Sequence, residues 1–479
     1  MLSKIKKLLL KNTYLRGVSI LAVGTVGAQA LTILAAPLLT RLYTPEDFGL
    51  LAVYSGLLAI FIVIASLRYE LAIPLPKSHQ EAINVLVLSL LVVLMMATIS
   101  GVIIGFAGDQ IAQYLNIPKL SKYFWLLPIG ILLSGGYNVF NYWALRTKNF
   151  LDITKTRFSQ ALTTLAVQFL GFKLGSIALL FGLTGGQGVG SLRLARSTAK
   201  YKEFKDWSWL GVWQAAKRYR QLPIFSTWSG LFNSVGNQLP PLMFATLFGS
   251  GAAGLYILAN RVLAIPVSVL GDAIGKVFFT NAAKAFREGC LLPLVIKAHR
   301  RLVDLSMPIT LLLIITGPEV FVVVFGENWR QAGEFARWLA PLLYITFIAA
   351  TLSNLFSILE KERLGMFFQM GLLVVRIIAI LLGARFNDLL LAVILFSSFS
   401  TLYWVIFLGW VCIVSGNTIS MMLKPTIKAI VPSLFCLSPL ILVLNFKQEQ
   451  LYWFIMGIGV SGLLLFIYYL NVLRKEHLN

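Results

Sequence analysis

Charged side chains are scarce in this sequence, and their scarcity excludes most soluble proteins. Asp, Glu, Lys and Arg make up only 13% of the 479 residues, whereas hydrophobic residues make up 58%. A soluble core of this length cannot enclose so many apolar side chains. The composition therefore predicts a protein whose surface faces lipid.

Cysteine and histidine are also rare, with three residues of each. Cys290, Cys412 and Cys436 lie far apart, which argues against a disulfide framework and against a metal site. The sequence shows no nucleophile–base pair and no phosphate-binding loop, since Gly186 and Gly190, four residues apart in a hydrophobic run, are typical of close helix packing. We therefore predict that the chain is not an enzyme and uses no metal and no cofactor.

Long hydrophobic runs fill the sequence instead. A helix needs about 20 residues to cross a hydrocarbon layer, and about fourteen runs approach that length. The runs are continuous and do not alternate, which favours helices over strands. We predict an all-α polytopic membrane protein with about fourteen transmembrane helices. The predicted spans are 17–39, 46–67, 81–107, 123–145, 154–172, 174–192, 222–246, 251–271, 302–325, 333–358, 365–384, 388–414, 426–445 and 451–471.

The first run follows four lysines within residues 1–15, as the hydrophobic part of a signal peptide would. It is longer than that part of a signal peptide, and no small-residue cleavage site follows it. We therefore predict that it is the first membrane helix.

The net charge of +22 could suggest nucleic-acid binding, but its distribution excludes this. Most Lys and Arg residues fall in alternate connections between the spans, as the positive-inside rule describes, which places both termini in the cytoplasm. One basic connection, 193–221, also carries Trp207, Trp209 and Trp213. This pattern predicts an amphipathic helix on the inner membrane surface, with partner recognition as the alternative.

A weak internal repeat indicates how the helices are grouped. Leu58-Ala59-Ile60 and Leu263-Ala264-Ile265 match six helices apart, so the two halves would be related by an axis along the membrane normal. The repeat predicts a six-helix bundle in 1–192 and a second bundle in 222–414. The linker 193–221 joins them, and 415–479 adds two further helices.

Polar residues inside the spans are the candidates for function, because an ionised side chain in the bilayer usually faces other helices or a water-filled cavity. Arg261 and Arg376 lie near the middle of their spans, and Ser268 and Asp272 share the helical face of Arg261. No acidic residue lies as deep, and guanidinium groups suit phosphate. We therefore predict an anion-binding cavity. The alternative is that each arginine ties neighbouring helices together.

Amide side chains follow the same faces and are predicted to bind substrate with the arginines. These residues are Gln29, Asn138, Asn141, Asn233, Asn237 and Gln369. Arg337, Arg68 and Arg41 are further candidates, although charges at the ends of spans often only reach the membrane interface.

Several segments resemble one transporter family. They are LTRLYTPEDFG at 39–49, LRYELAIP at 67–74, GLYILANR at 254–261, FGENW at 325–329 with FARW at 335–338, and LEKERLG at 359–365. Together they are similar to the polysaccharide-transporter, or Wzx-type O-antigen flippase, branch of the multidrug, oligosaccharidyl-lipid and polysaccharide exporter superfamily. The resemblance covers nearly the whole chain.

The resemblance implies a V-shaped pair of six-helix bundles and transport by alternating access. It implies that an undecaprenyl-pyrophosphate-linked oligosaccharide is flipped across the bacterial cytoplasmic (inner) membrane, for lipopolysaccharide or a related polymer. A polysaccharide polymerase and a chain-length regulator would be partners, together with membrane lipids, and nucleic acid would not.

Two other functions are alternatives to this one. A cation-coupled exporter of small drugs with the same fold should carry a deep carboxylate in its first helix, which this sequence lacks. A membrane polymerase or glycosyltransferase should present acidic residues in a large outward loop, whereas the longest predicted outward loop is short, at 108–122.

Overall fold

A computed structural model describes residues 13–201, 206–266, 272–445 and 451–474. These residues form helices and short connections, and none of them lies in a strand. The all-α fold predicted from the sequence is therefore confirmed. The predicted cytoplasmic termini and Ser268 lie outside the described residues.

The helices are numbered here in chain order. The first ten are α1 Thr13–Leu42, α2 Pro45–Ala65, α3 His79–Tyr114, α4 Pro118–Ser121, α5 Leu126–Arg146, α6 Phe150–Leu170, α7 Ser176–Thr198, α8 Trp209–Arg218, α9 Thr227–Phe248 and α10 Ser250–Pro266. The others are α11 Asp272–Arg287, α12 Leu291–Phe325, α13 Arg330–Leu352, α14 Leu355–Ile358, α15 Glu362–Arg385, α16 Leu389–Ser415, α17 Ile419–Asn445 and α18 Leu451–Arg474. Single 3-10 turns lie at Tyr69–Ala72, Phe172–Leu174 and Glu327–Trp329, and a π turn, Leu222–Ser226, precedes α9.

Among the described residues, each predicted span coincides with one of these helices, except that the tenth is divided between α13 and α14. Residues 267–271 of the eighth predicted span lie outside the described residues. Eight stretches of the described residues are long and apolar enough to cross a membrane. They are Gly24–Leu42, Pro45–Ala65, His79–Tyr114, Leu291–Phe325, Glu327–Leu352, Glu362–Arg385, Leu389–Ser415 and Ser420–Val443. These lengths and compositions are those of a multi-pass membrane protein.

Packing divides the chain into two compact units, Met1–Ile257 and Leu258–Asn479. The first unit includes α9, which packs along α2. The bundle boundaries predicted from the internal repeat, 1–192 and 222–414, stay a prediction.

Local sequence signals set the helix ends in the first unit. Thr44 and Asp47 form a reciprocal capping box at the start of α2, with Pro45 in the first turn. Gly249 ends α9 with φ of 90°, a conformation that favours glycine, so that α10 begins at once.

Very close backbone contacts hold α10 against the start of α2. A Cβ atom at Gly49 would lie 1.7 Å from the Ser250 carbonyl oxygen, and one at Gly254 would lie 1.8 Å from the Pro45 carbonyl oxygen. Only glycine allows helices to approach this closely. Further along α2, the buried Tyr54 hydroxyl donates to the Leu126 carbonyl of α5 at 3.1 Å.

The second unit is built on α12 and α13, which meet at Gly317 and Gly333. The Ser397 hydroxyl of α16 donates to the Trp338 carbonyl of α13 at 2.6 Å. Phe356 and Trp410 stack at 4.5 Å in an aromatic cluster that joins α14, α15 and α16. This packing holds α15, the helix of Arg376, in place.

Candidate functional site

The predicted amide side chains of the first unit are accessible, although they lie within membrane-length helices. Gln29 of α1 and Asn233 and Asn237 of α9 are exposed, whereas Asn138 and Asn141 of α5 are half-buried. Exposed amides within a span suit a wet surface better than a lipid-facing one. Arg41 is exposed in the last turn of α1.

Arg68 and Glu70 lie together in the connection between α2 and α3. Glu70 is buried and accepts a hydrogen bond from the Ser66 hydroxyl. The nearest atoms of the Arg68 guanidinium and the Glu70 carboxylate are 3.9 Å apart, which is a loose ion pair. Burial raises the pKa of Glu70 above its ordinary value, while the Ser66 hydrogen bond and the charge of Arg68 act in the opposite direction.

A second polar cluster in the first unit was missed by the sequence analysis. The Arg157 guanidinium of α6 donates to the Thr25 hydroxyl of α1, and its charge acts on Tyr137 of α5. Beside it, the Gln160 side-chain amide donates to the side-chain amide oxygen of Gln187 of α7 at 3.1 Å. Among the residues that the structure describes, no carboxylate forms an ion pair with Arg157.

The sequence did contain a signal for this cluster. Arg157, Gln160, Thr164 and Gln168 follow one another at intervals of three or four residues, so they share a face of α6. The same polar residues lower the hydropathy of the predicted span 154–172.

Glycines let α7 approach this polar face. A Cβ atom at Gly186 would lie 2.1 Å from the Thr164 hydroxyl oxygen, and one at Gly190 would lie 2.3 Å from the Gln160 side-chain nitrogen. The prediction that Gly186 and Gly190 serve helix packing is therefore confirmed.

The predicted cations of the second unit differ in their surroundings. Arg261 of α10 is exposed. Arg376 of α15 is half-buried, with its guanidinium carbon 5.7 Å from the centre of the Phe396 ring. Gln369, seven residues before Arg376, is exposed.

Arg337 of α13 has carboxylate partners. Its guanidinium lies 3.3 Å from Glu334 and 3.8 Å from Glu319, and it also donates to the Ile315 carbonyl at 3.4 Å. These contacts offset its charge and connect α13 to α12. They favour the interpretation that Arg337 ties helices together, while its predicted substrate contact stays a prediction.

Comparisons with known proteins agree with this fold. A family model described as "Polysaccharide biosynthesis protein" matches residues 38–334. The teichuronic acid biosynthesis protein TuaB of Bacillus subtilis (strain 168) is 26% identical over 155 residues, which cover 30% of each chain. The succinoglycan biosynthesis transport protein ExoT of Rhizobium meliloti (strain 1021) is 25% identical over 329 residues, 64% of this chain and 61% of that protein. The matches thus span less than two thirds of either relative.

Two solved structures show the same fold at low sequence identity. Lipid II flippase MurJ, in an inward closed conformation, has a TM-score of 0.74 at 13% identity, covering 96% of this chain and 99% of MurJ. An inward-facing multidrug resistance MATE family transporter of the MOP superfamily has a TM-score of 0.64 at 15% identity, covering 84% of this chain and 99% of that one. The family resemblance predicted from the sequence segments is confirmed, since the family model matches more than half of the chain. The chain belongs to the polysaccharide biosynthesis protein family, and its fold is that of MOP-superfamily transporters.

Proposed function

We propose that this protein is a flippase that moves a lipid-linked oligosaccharide across the cytoplasmic membrane by alternating access. The observation that carries the proposal is the exposure of Arg261, a permanently charged side chain in a helix that the sequence predicts to span the membrane. Family membership and the fold shared with a lipid II flippase support it. ExoT, a relative of similar sequence, is described as a transport protein for succinoglycan biosynthesis.

We infer that the carrier is undecaprenyl pyrophosphate and that the repeat unit belongs to an O-antigen or a related polymer. A pyrophosphate is a concentrated anion, which guanidinium groups bind through paired hydrogen bonds. Arg261 and Arg376 would bind it, and the exposed amides Gln29, Asn233 and Asn237 would bind sugar hydroxyls. The polyprenyl chain would remain in the surrounding lipid.

The charge pattern supports a location in the inner membrane with both termini in the cytoplasm. A polysaccharide polymerase and a chain-length regulator are the partners that would use the flipped unit. A cation-coupled exporter of small drugs is the competing proposal, because the MATE fold is also similar. The absence of Asp and Glu from the α1 sequence argues against it.

Analysis of lipid-linked intermediates after deletion of the gene tests the proposed function. A flippase deletion should leave lipid-linked oligosaccharide on the inner face of the membrane, where an added membrane-impermeant glycosidase reaches it only in inverted vesicles. Normal export, with no accumulation of any lipid-linked sugar, would contradict the proposal. Restored drug resistance as the only effect of complementation would favour the exporter.

A further inference from the structure

The connection between α2 and α3 buries a carboxylate that lies beyond hydrogen-bond distance of its nearest cation. Glu70 is 3% exposed and accepts a hydrogen bond from Ser66. Its cation, Arg68, lies 3.9 Å away, and the Arg68 Nε atom has no hydrogen-bond partner among the described residues. A buried carboxylate whose cation is not within hydrogen-bond distance is costly, and burial outweighs its hydrogen bonds, so the neutral form of Glu70 suits this environment better.

Arg68 is directed towards α9 as well as towards Glu70. A Cβ atom at Gly230 of α9 would lie 2.3 Å from an Arg68 guanidinium nitrogen, so this arginine occupies the space that glycine leaves. Leu67 and Arg68 both have left-handed backbones, with φ of 49° and 64°. Such conformations are unfavourable for these residue types and persist only where the surroundings hold them.

The rest of the connection is held by contacts that do not involve Glu70. Arg146 of α5 donates to the Ile73 and Pro76 carbonyls at 3.2 and 2.7 Å. Among the described residues, two ionisable groups interact electrostatically with Glu70, namely Arg68 and Tyr142 of α5. Among the described residues, α3 and the turn Leu222–Ser226 also pack here and present no ionisable group that acts on Glu70. The contact of Arg68 with Gly230 of α9 is therefore the one that we expect to change when Glu70 gains or loses a proton.

We propose that Glu70 is a proton-binding site whose occupancy controls the contact between Arg68 and α9. With the proton bound, the carboxyl is neutral, stays buried, and leaves Arg68 against Gly230. When the proton passes to water, the carboxylate attracts Arg68 into a closer pair and the contact with α9 is lost.

The direction of the pH dependence follows from burial. Burial raises the pKa of Glu70, whereas a closer pair with Arg68 would lower it, so the arrangement in which Arg68 contacts α9 binds the proton more tightly than the paired arrangement. Acid therefore favours the contact, and raising the pH through the raised pKa weakens it. Because a single proton is bound, the ratio of molecules with the Arg68–α9 contact to molecules without it changes by at most about tenfold per pH unit.

Cysteine crosslinking between α2 and α9 tests this proposal without any cargo. Ser234 of α9 donates to the Ala59 carbonyl of α2 at 3.1 Å, so Ala59→Cys with Ser234→Cys reports the helix contact. Cys290, Cys412 and Cys436 are first replaced by Ser. Disulfide yield is measured from about pH 5 to about pH 9, in Glu70 and in Glu70→Gln backgrounds, across the range in which a raised carboxyl pKa lies.

The proposal expects the yield with Glu70, divided by that with Glu70→Gln, to be near one in acid and to fall several-fold in alkali. The division removes the pH dependence of the thiols themselves. The control pair is Gly136→Cys in α5 with Ser191→Cys in α7, where a Cβ atom at Gly136 would lie 3.0 Å from the Ser191 hydroxyl oxygen. Neither position belongs to α2 or α9, so this pair should give a constant ratio.

A ratio that stays constant with pH for the α2–α9 pair would overturn the proposal. If Glu70→Gln does not insert, Glu70→Asp replaces it, since the shorter acid should shift the midpoint of the pH dependence. An unchanged midpoint in Glu70→Asp would also overturn it. These outcomes do not depend on whether the protein is a flippase.

Discussion

At the scale of single residues, four guanidinium groups within the helices differ in what surrounds them. Arg337 pairs with two carboxylates, and Arg376 lies over an aromatic ring. Arg157 donates a hydrogen bond to the Thr25 hydroxyl, and Arg261 is exposed. A charge already offset by carboxylates has little attraction left for a ligand. Arg261 and Arg157 are therefore better suited to meet an anion than Arg337.

Replacing Arg157 should impair export without preventing insertion. Arg157→Gln removes the charge-assisted hydrogen bond to Thr25, and a bond of this kind contributes about 1.5–3 kcal/mol, so we expect export to fall about tenfold or more. Export of the polysaccharide and the amount of protein in the membrane are measured together.

The matched control is Lys155→Gln, two residues away on the same helix and exposed. It removes the same charge and should leave export unchanged. Equal effects of the two substitutions would show that the net charge of α6, and not the polar cluster, matters.

At the scale of helices, glycine determines how closely α6 and α7 pack. Gly186→Ala places a Cβ atom 2.1 Å from the Thr164 hydroxyl oxygen and 2.9 Å from the Gln160 carbonyl oxygen, which cannot move independently of its helix. Overpacking of this kind costs about 1–3 kcal/mol. We expect a lower Tm for the purified protein in detergent.

Gly185→Ala is the control for this substitution, because no atom lies within 4 Å of a Cβ atom there. It gains helix propensity without a clash, so Tm should stay the same or rise. A lower Tm in Gly185→Ala, or an unchanged Tm in Gly186→Ala, would contradict the packing account.

Helices were easier to predict from the sequence than the site. Continuous apolar runs define a span without any knowledge of its neighbours, so each predicted span coincides with a helix. The Arg157 cluster depends on which faces of α1, α5, α6 and α7 meet, and the sequence of α6 alone does not specify its partners. The contact of Arg68 with Gly230 joins residues far apart in sequence and could not be predicted.

Polarity also explains which spans fall short of membrane-helix hydropathy. The eight apolar stretches do not include α5, α6, α7 or α9. These helices carry Asn138, Arg157, Gln187 and Asn233. In these four helices, residues that weaken the hydropathy signal include candidates for binding a polar cargo.

At the scale of the whole molecule, the charge distribution predicts which connections face the cytoplasm. Lys119 lies in α4, on the predicted outer side, and Lys200 follows α7 on the predicted inner side; both are exposed. In a chain without its natural cysteines, Lys119→Cys should react with a membrane-impermeant maleimide in intact cells. Lys200→Cys should react only after lysis, and the reverse pattern would contradict the predicted orientation.

The most direct test of the account is export by an Arg261→Ala variant, because the account depends on an exposed positive charge within the membrane helices. Arg330→Ala is the control, since Arg330 is exposed at the start of α13 and pairs with Glu327 at 2.7 Å. We expect Arg261→Ala to insert normally and to lower export about tenfold or more, with lipid-linked oligosaccharide accumulating, whereas Arg330→Ala exports normally. Wild-type export by a normally inserted Arg261→Ala variant would contradict the account.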